Sequence, residues 1–215
     1  MNSLRSSLRL LLIGTLASLA GAQARADVPT EASNVNPVEV GSEAPDPSVR
    51  RADGSEASLS ALLAGEPAIV VFYRGGWCPY CNRQLEALAS LTAELEALGL
   101  PIIGLSADRP ERVAEAIAAT APDYTLVSDA GMGAAQAFGL AFKVDTASYE
   151  RLQGFGIDLE AASGETHHLL PVPAVFLIDG EGIIAFRYFN PDYRKRLSAE
   201  ELLVAARALT SRGEE

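Results

Sequence analysis

The sequence predicts one α/β domain of three layers, in which a central mixed β-sheet is flanked by helices on both faces. First, 215 residues with 48% hydrophobic content can bury one full core. Second, buried apolar runs rich in β-branched residues alternate with helical stretches along the chain. Third, two late strands flank Gly180-Glu181-Gly182 as a hairpin, and a last helix follows them. Alternation that ends in a hairpin is typical of a mixed sheet.

The first 26 residues are expected to lie outside this domain. Arg5 and Arg9 form a basic start, residues 10–22 are apolar, and small residues lead to Ala24-Arg25-Ala26. The apolar run is too short to span a bilayer, and its flanks are those of a secretory signal peptide with an A-x-A cleavage site. We therefore expect cleavage after Ala26 and an exported protein, periplasmic or secreted. An uncleaved membrane anchor is the alternative.

The charge of the chain argues against two classes of partner. The formal net charge is −11 at pH 7, and removal of residues 1–26 leaves 14 basic against 28 acidic residues, a net charge of −14. Such a surface repels nucleic acid and anionic lipid. We expect neither nucleic acid nor, after processing, a membrane as a partner.

The remaining chain divides into an arm, a domain and an insertion. Residues 27–45 contain three prolines and little periodicity, which indicates a linker and arm, and the domain covers residues 46–215. Residues 139–170 are interpreted as an insertion. Strands are predicted at 68–73, 102–106, 124–128, 174–179 and 183–189, and helices at 79–98, 108–120, 132–138 and after Ser198.

Three of these helices carry signals at their ends. In residues 79–98, leucines recur at steps of three and four, and Gly99 stops the pattern. Asp108 is predicted to cap the next helix. Ser198, with Glu201 three residues later, forms a predicted capping box for the last one.

Cys78 and Cys81 are the two cysteines of the chain, and they lie between the first predicted buried strand and the helix that follows it. A disulfide across so short a loop adds little stability, so the pair is expected to serve redox chemistry or to bind a metal; an inert disulfide is the plain alternative. Cys78 lies at the helix N-terminus, where backbone N–H groups and the macrodipole favour a thiolate. Cys81 lies one turn further on, within reach of a disulfide.

This position predicts different roles for the two thiols and their neighbours. Cys78 is expected to be the more acidic and the more exposed thiol, because Cys81 lies one turn inside the helix. Pro79 stiffens the first turn without losing a needed donor. Arg74 would add positive charge beside Cys78 if the turn folds back, and is otherwise expected to be a solvated side chain.

The motif around the cysteines resembles a known family. The run Trp77-Cys78-Pro79-Tyr80-Cys81 resembles the active-site motif of the thioredoxin superfamily, and residues 72–84 resemble the peroxiredoxin-like branch of the alkyl hydroperoxide reductase/thiol-specific antioxidant family. The resemblance covers roughly residues 38–210. It implies a thioredoxin-like fold and a thiol-based antioxidant oxidoreductase, in which Cys78 attacks and Cys81 resolves. It implies no bound organic cofactor, a peroxide or protein-disulfide substrate, and reduction by a thiol protein or a small thiol.

Pro173, which follows Val172 and precedes a predicted strand, also enters through the resemblance. Thioredoxin-fold proteins hold a cis-proline against the cysteines at this point, so the resemblance implies a cis Val172-Pro173 bond beside Cys78. The backbone of Val172 would then be free to pair with an extended substrate chain.

The sequence departs from the better-known peroxiredoxins in three places. They carry a threonine three residues before the attacking cysteine, a proline further upstream, and an arginine at the start of a later strand. Here Gly75 stands at the first position, no proline occurs between Ala68 and Cys78, and Pro173 stands at the third. Because those groups polarise the peroxide, their absence favours thiol-disulfide exchange over fast peroxide reduction.

A metal-binding function is the alternative to the enzyme. His167 or His168 could join Cys78 and Cys81 in a copper(I) or zinc site, as in exported copper-delivery proteins with the same fold. Adjacent histidines point apart on an extended segment, so one of them, such as His168, would join. A solvated histidine pair in the insertion is the plain interpretation.

Overall fold

The computed structural model describes residues 28–212, so the signal peptide predicted at residues 1–26 lies outside them. The α/β fold is confirmed: a mixed sheet lies between layers of helices. The strands of the described residues are β1 (Ser48–Arg50), β2 (Glu56–Ser58), β3 (Ala68–Tyr73), β4 (Ile102–Ser106), β5 (Thr125–Ser128), β6 (Ala141–Lys143), β7 (Leu169–Pro171), β8 (Ala174–Ile178) and β9 (Ile184–Phe189). Strands β6 and β7 form a separate two-stranded sheet, and the other seven form the mixed sheet. The helices are α1 (Leu59–Leu63), α2 (Pro79–Ala89), α3 (Thr92–Ala97), α4 (Pro110–Thr120), α5 (Gly133–Ala137), α6 (Thr146–Gly154), α7 (Leu159–Ser163) and α8 (Ala199–Arg212), with a 3₁₀ turn at Ala32–Asn34.

The central sheet has seven strands in the order β2-β1-β5-β4-β3-β8-β9. Strands β3, β4 and β5 are parallel, and the predicted hairpin β8–β9 continues the sheet antiparallel to β3. Because β3 and β4 are parallel neighbours, the loops that follow them meet at one edge of the sheet. The cysteines follow β3, so this edge carries the site.

Strand β3 lies at the centre of the core and is buried at every residue. Val70 and Phe72 belong to the apolar cluster on one face, with α5 and α7, whereas Ile69 and Val71 belong to the cluster on the other, with α2, α3 and α8. Both faces of β3 are covered by helices, so side chains on both faces must be apolar, and the strand therefore reads as an uninterrupted apolar run in the sequence.

The single helix predicted over residues 79–98 is wrong, because the structure divides it into α2 and α3. The hydroxyls of Ser90 and Thr92 donate to the carbonyls of Ala87 and Ala89 at 2.7 and 2.9 Å. Such side-chain bonds to the preceding turn compete with the helical pattern and bend the chain. The leucine periodicity continues through the bend, which is why the sequence did not reveal it.

The predicted cap at Asp108 is also wrong. Arg109 is the N-cap of α4, and its side chain makes no capping bond. Asp108 is instead buried and turned toward the loop after β3, where it accepts from the backbone N–H of Gly76 at 2.7 Å. At the last helix, the predicted capping box is present: the Ser198 N–H donates to Glu201 Oε2 at 2.9 Å, and the Glu201 N–H donates to Ser198 Oγ at 3.2 Å.

Residues 139–170, which we interpret as an insertion, contribute side chains beside the sheet edge that carries the cysteines. Strands β6 and β7 pair antiparallel, and α6 and α7 lie between them in sequence. The arm crosses the same side of the molecule, and Val35 and Val38 pack against the core. None of the described helices is long and apolar enough to cross a membrane.

Candidate active site

Cys78 and Cys81 lie at the junction of β3 and α2, as their spacing predicted. Cys78 is the N-cap of α2, Pro79 occupies its first turn, and the N–H of Cys81 donates to the carbonyl oxygen of Cys78 at 3.0 Å. Both thiols are free in this structure. Both thiols are buried, with Cys78 1% exposed and Cys81 0% exposed, so the predicted order of exposure holds only by a small margin. Tyr73 and Val113 pack in the same cluster as the pair.

The two thiols differ strongly in acidity, in the predicted direction. A hydrogen bond from the Cys81 thiol lowers the pKa of Cys78 to about 6 against the effect of burial, and the charges of Arg74 and Arg196 act in the same sense. Burial raises the pKa of Cys81 far above its usual value, and the bond to Cys78 adds to this effect. Near pH 7 the pair therefore holds one thiolate, on Cys78, and one thiol, on Cys81.

Arg74 is buried, so its interpretation as a solvated side chain is wrong. It is 8% exposed, and its guanidinium carbon lies 4.9 Å from the Trp77 ring centroid and 4.2 Å from that of Tyr193. These rings hold the cation without occupying its N–H groups, and the buried Nε has no partner within the described chain. Arg74 thus presents positive charge and an unused donor beside the Cys78 thiolate.

The turn before the cysteines explains why a threonine cannot stand at position 75. Gly75 has a φ of +148°, and a Cβ there would overlap the indole nitrogen of Trp77 and lie 2.7 Å from Oδ1 of Asp108. The turn is held from two sides, because Asp108 accepts from Gly76 N–H and the Asn82 amide donates to the Gly76 carbonyl at 2.9 Å. Burial raises the pKa of Asp108.

Arg196 approaches the pair from the loop between β9 and α8. Its Nη2 donates to Cys81 Sγ at 3.3 Å, and its Nε and Nη1 are buried without a partner within the described residues. Two cations from segments far apart in sequence thus lie near the pair: both favour the Cys78 thiolate, and Arg196 alone donates to Cys81 Sγ.

A cleft of about 510 Å³ opens in front of Cys78. The start of α2 and the β7–β8 link form one wall, and the insertion forms the other. The apolar lining residues are Ala32, Trp77, Pro79, Tyr80, Phe142, Val144, Leu152, Phe155, Ile157, Pro171, Val172, Pro173, Pro191 and Tyr193. Arg74 and Arg151 also line the cleft, whereas Cys81 does not. A molecule in the cleft would meet Cys78 and would be surrounded mainly by apolar side chains.

Pro173 lines this cleft beside Cys78, but the implied cis bond is wrong, since no cis peptide bond occurs between residues 28 and 212. An extended trans link carries the chain from β7 into β8 through two residues. The free backbone expected at Val172 is wrong too: its N–H donates to the Leu140 carbonyl at 2.9 Å. The insertion occupies the position where a substrate strand would pair.

The histidines are engaged away from the thiols. His167 Nε2 lies 2.8 Å from the Ala130 carbonyl oxygen. His168 Nε2 lies 2.7 Å from Glu160 Oε1, and its ring stacks on Tyr149. Neither imidazole lines the Cys78 cleft, and the described residues contain no group of three or more His, Cys, Asp or Glu side chains arranged to hold a metal. The predicted alternative set of Cys78, Cys81 and His168 is not brought together.

A sequence model of the AhpC/TSA family matches residues 40–187. The chain belongs to the AhpC/TSA family. Peroxiredoxin Bcp of Escherichia coli K12 is 29% identical over 106 residues, which are 49% of this chain and 67% of that protein. A Bcp-type relative from Haemophilus influenzae is 32% identical over 106 residues, 49% of this chain and 68% of its own length. This AhpC/TSA protein is a peroxiredoxin-like thiol peroxidase with a Cys78–Cys81 pair, and the family implies a peroxide substrate and a thiol reductant.

Solved structures agree with this membership at the level of the fold. Peroxidoxin BcpB from Mycobacterium tuberculosis superimposes with a TM-score of 0.61 and 22% identity, covering 80% of this chain and 98% of that one. Reduced Prx3 from Vibrio vulnificus, in complex with hydrogen peroxide, superimposes with a TM-score of 0.64 and 18% identity, covering 79% and 99%.

The structure adds residues that the motif did not contain. Asp108 could have been placed from the sequence, because it closely follows a strand parallel to the one before the cysteines, and such strand ends meet. The roles of Arg196 and Tyr193 could not be predicted from the sequence. Arg196 is 115 positions from Cys81 and belongs to no recognisable motif. Leu152 of α6, with Phe155 and Ile157 just after it, was also missed, because apolar residues at such positions resemble ordinary core residues.

Proposed function

We propose that this protein is an exported thiol peroxidase that reduces organic hydroperoxides at Cys78, resolves the oxidised cysteine with Cys81, and is regenerated by an external thiol. The observation that carries the proposal is a mainly apolar cleft that Cys78 and the buried cation Arg74 line together, with the pKa of Cys78 lowered by the hydrogen bond from Cys81.

The oxidative half of the cycle follows from the charge states of the thiols. The Cys78 thiolate attacks the terminal oxygen of the hydroperoxide, the O–O bond breaks, and the alkoxide leaves as an alcohol after taking a proton. Cys78 becomes a sulfenic acid. Cys81 then attacks Cys78 Sγ, the S–S bond forms, and hydroxide leaves as water with the proton that Cys81 gives up. Two electrons pass from the two thiols to the peroxide.

Arg74 supplies part of the electrostatic help that the motif lacks. Its guanidinium favours the thiolate, and because Arg74 lines the cleft, this cation can stabilise the oxygen on which negative charge develops. This explains how peroxide chemistry can proceed although Gly75 and Pro173 replace the familiar threonine and arginine.

The backbone near Pro173 favours a small substrate over a protein disulfide. A protein substrate would add as a strand beside Val172, whose N–H is already bonded to Leu140. A cleft of about 510 Å³ is within the usual range for small-molecule sites, roughly 300–1,000 Å³.

Stopped-flow oxidation of the reduced protein, followed by the fluorescence of its single tryptophan, Trp77, tests the substrate class. Cumene hydroperoxide should react faster than hydrogen peroxide, and both faster than a glutathione mixed disulfide. Leu152→Glu, which places a charge on the cleft wall, should lower the cumene hydroperoxide rate about tenfold and leave hydrogen peroxide nearly unchanged, since burying a charge beside an apolar ligand is costly.

Val204→Glu is the matched control, because Val204 is 65% exposed on α8 and does not line the cleft. It should change neither rate. A mixed disulfide that outpaces both peroxides would instead make the protein a disulfide oxidoreductase.

Export is proposed from residues 1–26 alone, through their basic start, apolar run and A-x-A end. The mature protein should begin at Asp27. Mass spectrometry of the exported fraction should find this N-terminus; recovery of the chain from Met1 in the membrane would contradict export and favour an anchor.

A further inference from the structure

The reductive half of the cycle requires a buried thiolate to leave. An external thiolate must attack one sulfur of the Cys78–Cys81 disulfide and expel the other. Cys78 lines the cleft and Cys81 does not, so the incoming thiol reaches Cys78 Sγ and the leaving sulfur is that of Cys81. Cys81 is 0% exposed, and an isolated charge at such a position is costly.

We propose that Arg196 is a catalytic residue of this reductive step, in which its guanidinium stabilises the thiolate of Cys81 as it leaves. Nη2 already donates to Cys81 Sγ at 3.3 Å in the dithiol form. The bond becomes charge-assisted on both sides once the sulfur is a thiolate, and such bonds are roughly twice as strong as neutral ones. The leaving sulfur of a disulfide departs faster when its pKa is lower.

The step balances with a thiol as the reductant. The attacking thiolate forms a bond to Cys78 Sγ, and the Cys78–Cys81 bond breaks with its electron pair on Cys81. Cys81 then takes up a proton. A second reductant thiolate attacks the reductant sulfur of the mixed disulfide, so that Cys78 leaves as a thiolate and the oxidised reductant departs.

The surroundings of Arg196 distinguish this role from simple packing. Nε and Nη1 are buried without a partner in the described chain, so no carboxylate neutralises the cation. The six ion pairs of the described residues do not include it. Its charge opposes the burial that raises the pKa of Cys81. Arg74 lines the cleft together with Cys78, whereas Arg196 does not line the cleft.

The inference rests on the proposed function only in that a Cys78–Cys81 disulfide must form, so the test produces this disulfide with diamide and not with peroxide. Reduction by dithiothreitol at pH 7 is followed by Trp77 fluorescence. Arg196→Gln should slow reduction about tenfold or more, the effect expected for one bond to a charged group. Oxidation of its dithiol form by hydrogen peroxide, measured at about pH 8.5, where the Cys78 thiol is ionised with or without the charge of Arg196, should slow much less than reduction, because Arg74 remains beside Cys78.

Arg194→Gln is the matched control, since this arginine lies in the same loop, pairs with Asp192 at 2.9 Å and is solvent-exposed. It should leave both rates unchanged. Arg196→Lys should recover most of the reduction rate, because the positive charge returns.

The reactivity of Cys81 separates leaving-group stabilisation from a structural effect. In a Cys78→Ser background, the rate of Cys81 alkylation by iodoacetamide at pH 7 follows the fraction of Cys81 thiolate, so Arg196→Gln should lower this rate about tenfold, whereas a loosened structure would raise it. The inference is wrong if Arg196→Gln is reduced at the native rate, if it slows oxidation as much as reduction, or if lysine does not restore reduction. Slow reaction of the native protein with every peroxide would defeat the proposed function and leave this test intact.

Discussion

Replacing Cys78 by serine should abolish peroxide consumption, with a loss of about 10⁴-fold or more, the scale expected when a nucleophile is removed. A serine hydroxyl stays protonated where the Cys78 thiol, with its pKa lowered to about 6 by the bond from Cys81, is already a thiolate. Peroxide-dependent oxidation of a thiol reductant measures the loss directly.

Replacing Cys81 by serine should have a different effect from loss of the nucleophile. Cys78 should still react once with peroxide, and a sulfenic acid should accumulate, because no other cysteine exists to resolve it. Trapping with dimedone and mass spectrometry should locate the modification on Cys78. If Cys81→Ser also leaves peroxide untouched, or if label is found on Cys81 in Cys78→Ser, the assigned roles are reversed or shared.

Replacing Arg74 by glutamine should slow oxidation by about 10- to 100-fold even at high pH, where every Cys78 is ionised, because the cation that lines the cleft and would stabilise the developing oxyanion is lost. At lower pH the loss should be larger. In the native protein the positive charge of Arg74 favours the Cys78 thiolate. Removing this charge raises the pKa of Cys78 and reduces the fraction of protein that holds the thiolate.

The pH profile gives the sign of this effect. In the native protein the oxidation rate should rise as pH increases through about 6 and then level off, since the thiolate is the reacting form. In Arg74→Gln the midpoint should move to higher pH. An upward shift of about one unit would reduce the thiolate at pH 6 from half of the molecules to about a tenth. Rate measurements between pH 4.5 and about 8.5 cover this range.

Arg83→Gln is the control, because Arg83 is an exposed arginine of α2 that packs over Tyr80 and does not line the cleft. It should leave the midpoint and the plateau unchanged. An Arg74→Gln protein with a native midpoint and plateau would show that Arg74 only supports the packing of Trp77 and Tyr193.

The buried arginines also change the meaning of the missing peroxiredoxin residues. Gly75 and Pro173 suggested that the electrostatic help for peroxide reduction was absent. The structure supplies positive charge from Arg74, held between two aromatic rings, and from Arg196 behind Cys81. The familiar motif positions show where the better-known peroxiredoxins place these groups, but a positive charge near the thiolate stabilises it wherever in the sequence the charge comes from.

The sequence by itself determined whatever depends on neighbours along the chain. The alternation of strands and helices, the hairpin around 180–182, the capping box at Ser198 and the placement of Cys78 at a helix N-terminus all follow from local periodicity and end signals. The order of acidity of the two thiols was also predicted from their places on the helix, although its causes in the structure are the hydrogen bond between them and the burial of Cys81.

Only the tertiary structure decided which distant groups surround the thiols. The burial of Arg74, the approach of Arg196 across 115 positions, the turn of Asp108 toward Gly76 and the closure of the Val172 backbone by the insertion depend on how separate segments pack. A local pattern reports only what lies within a few residues. The environment of a buried thiol is set by whatever the fold brings within a few ångströms of it, at any distance in sequence.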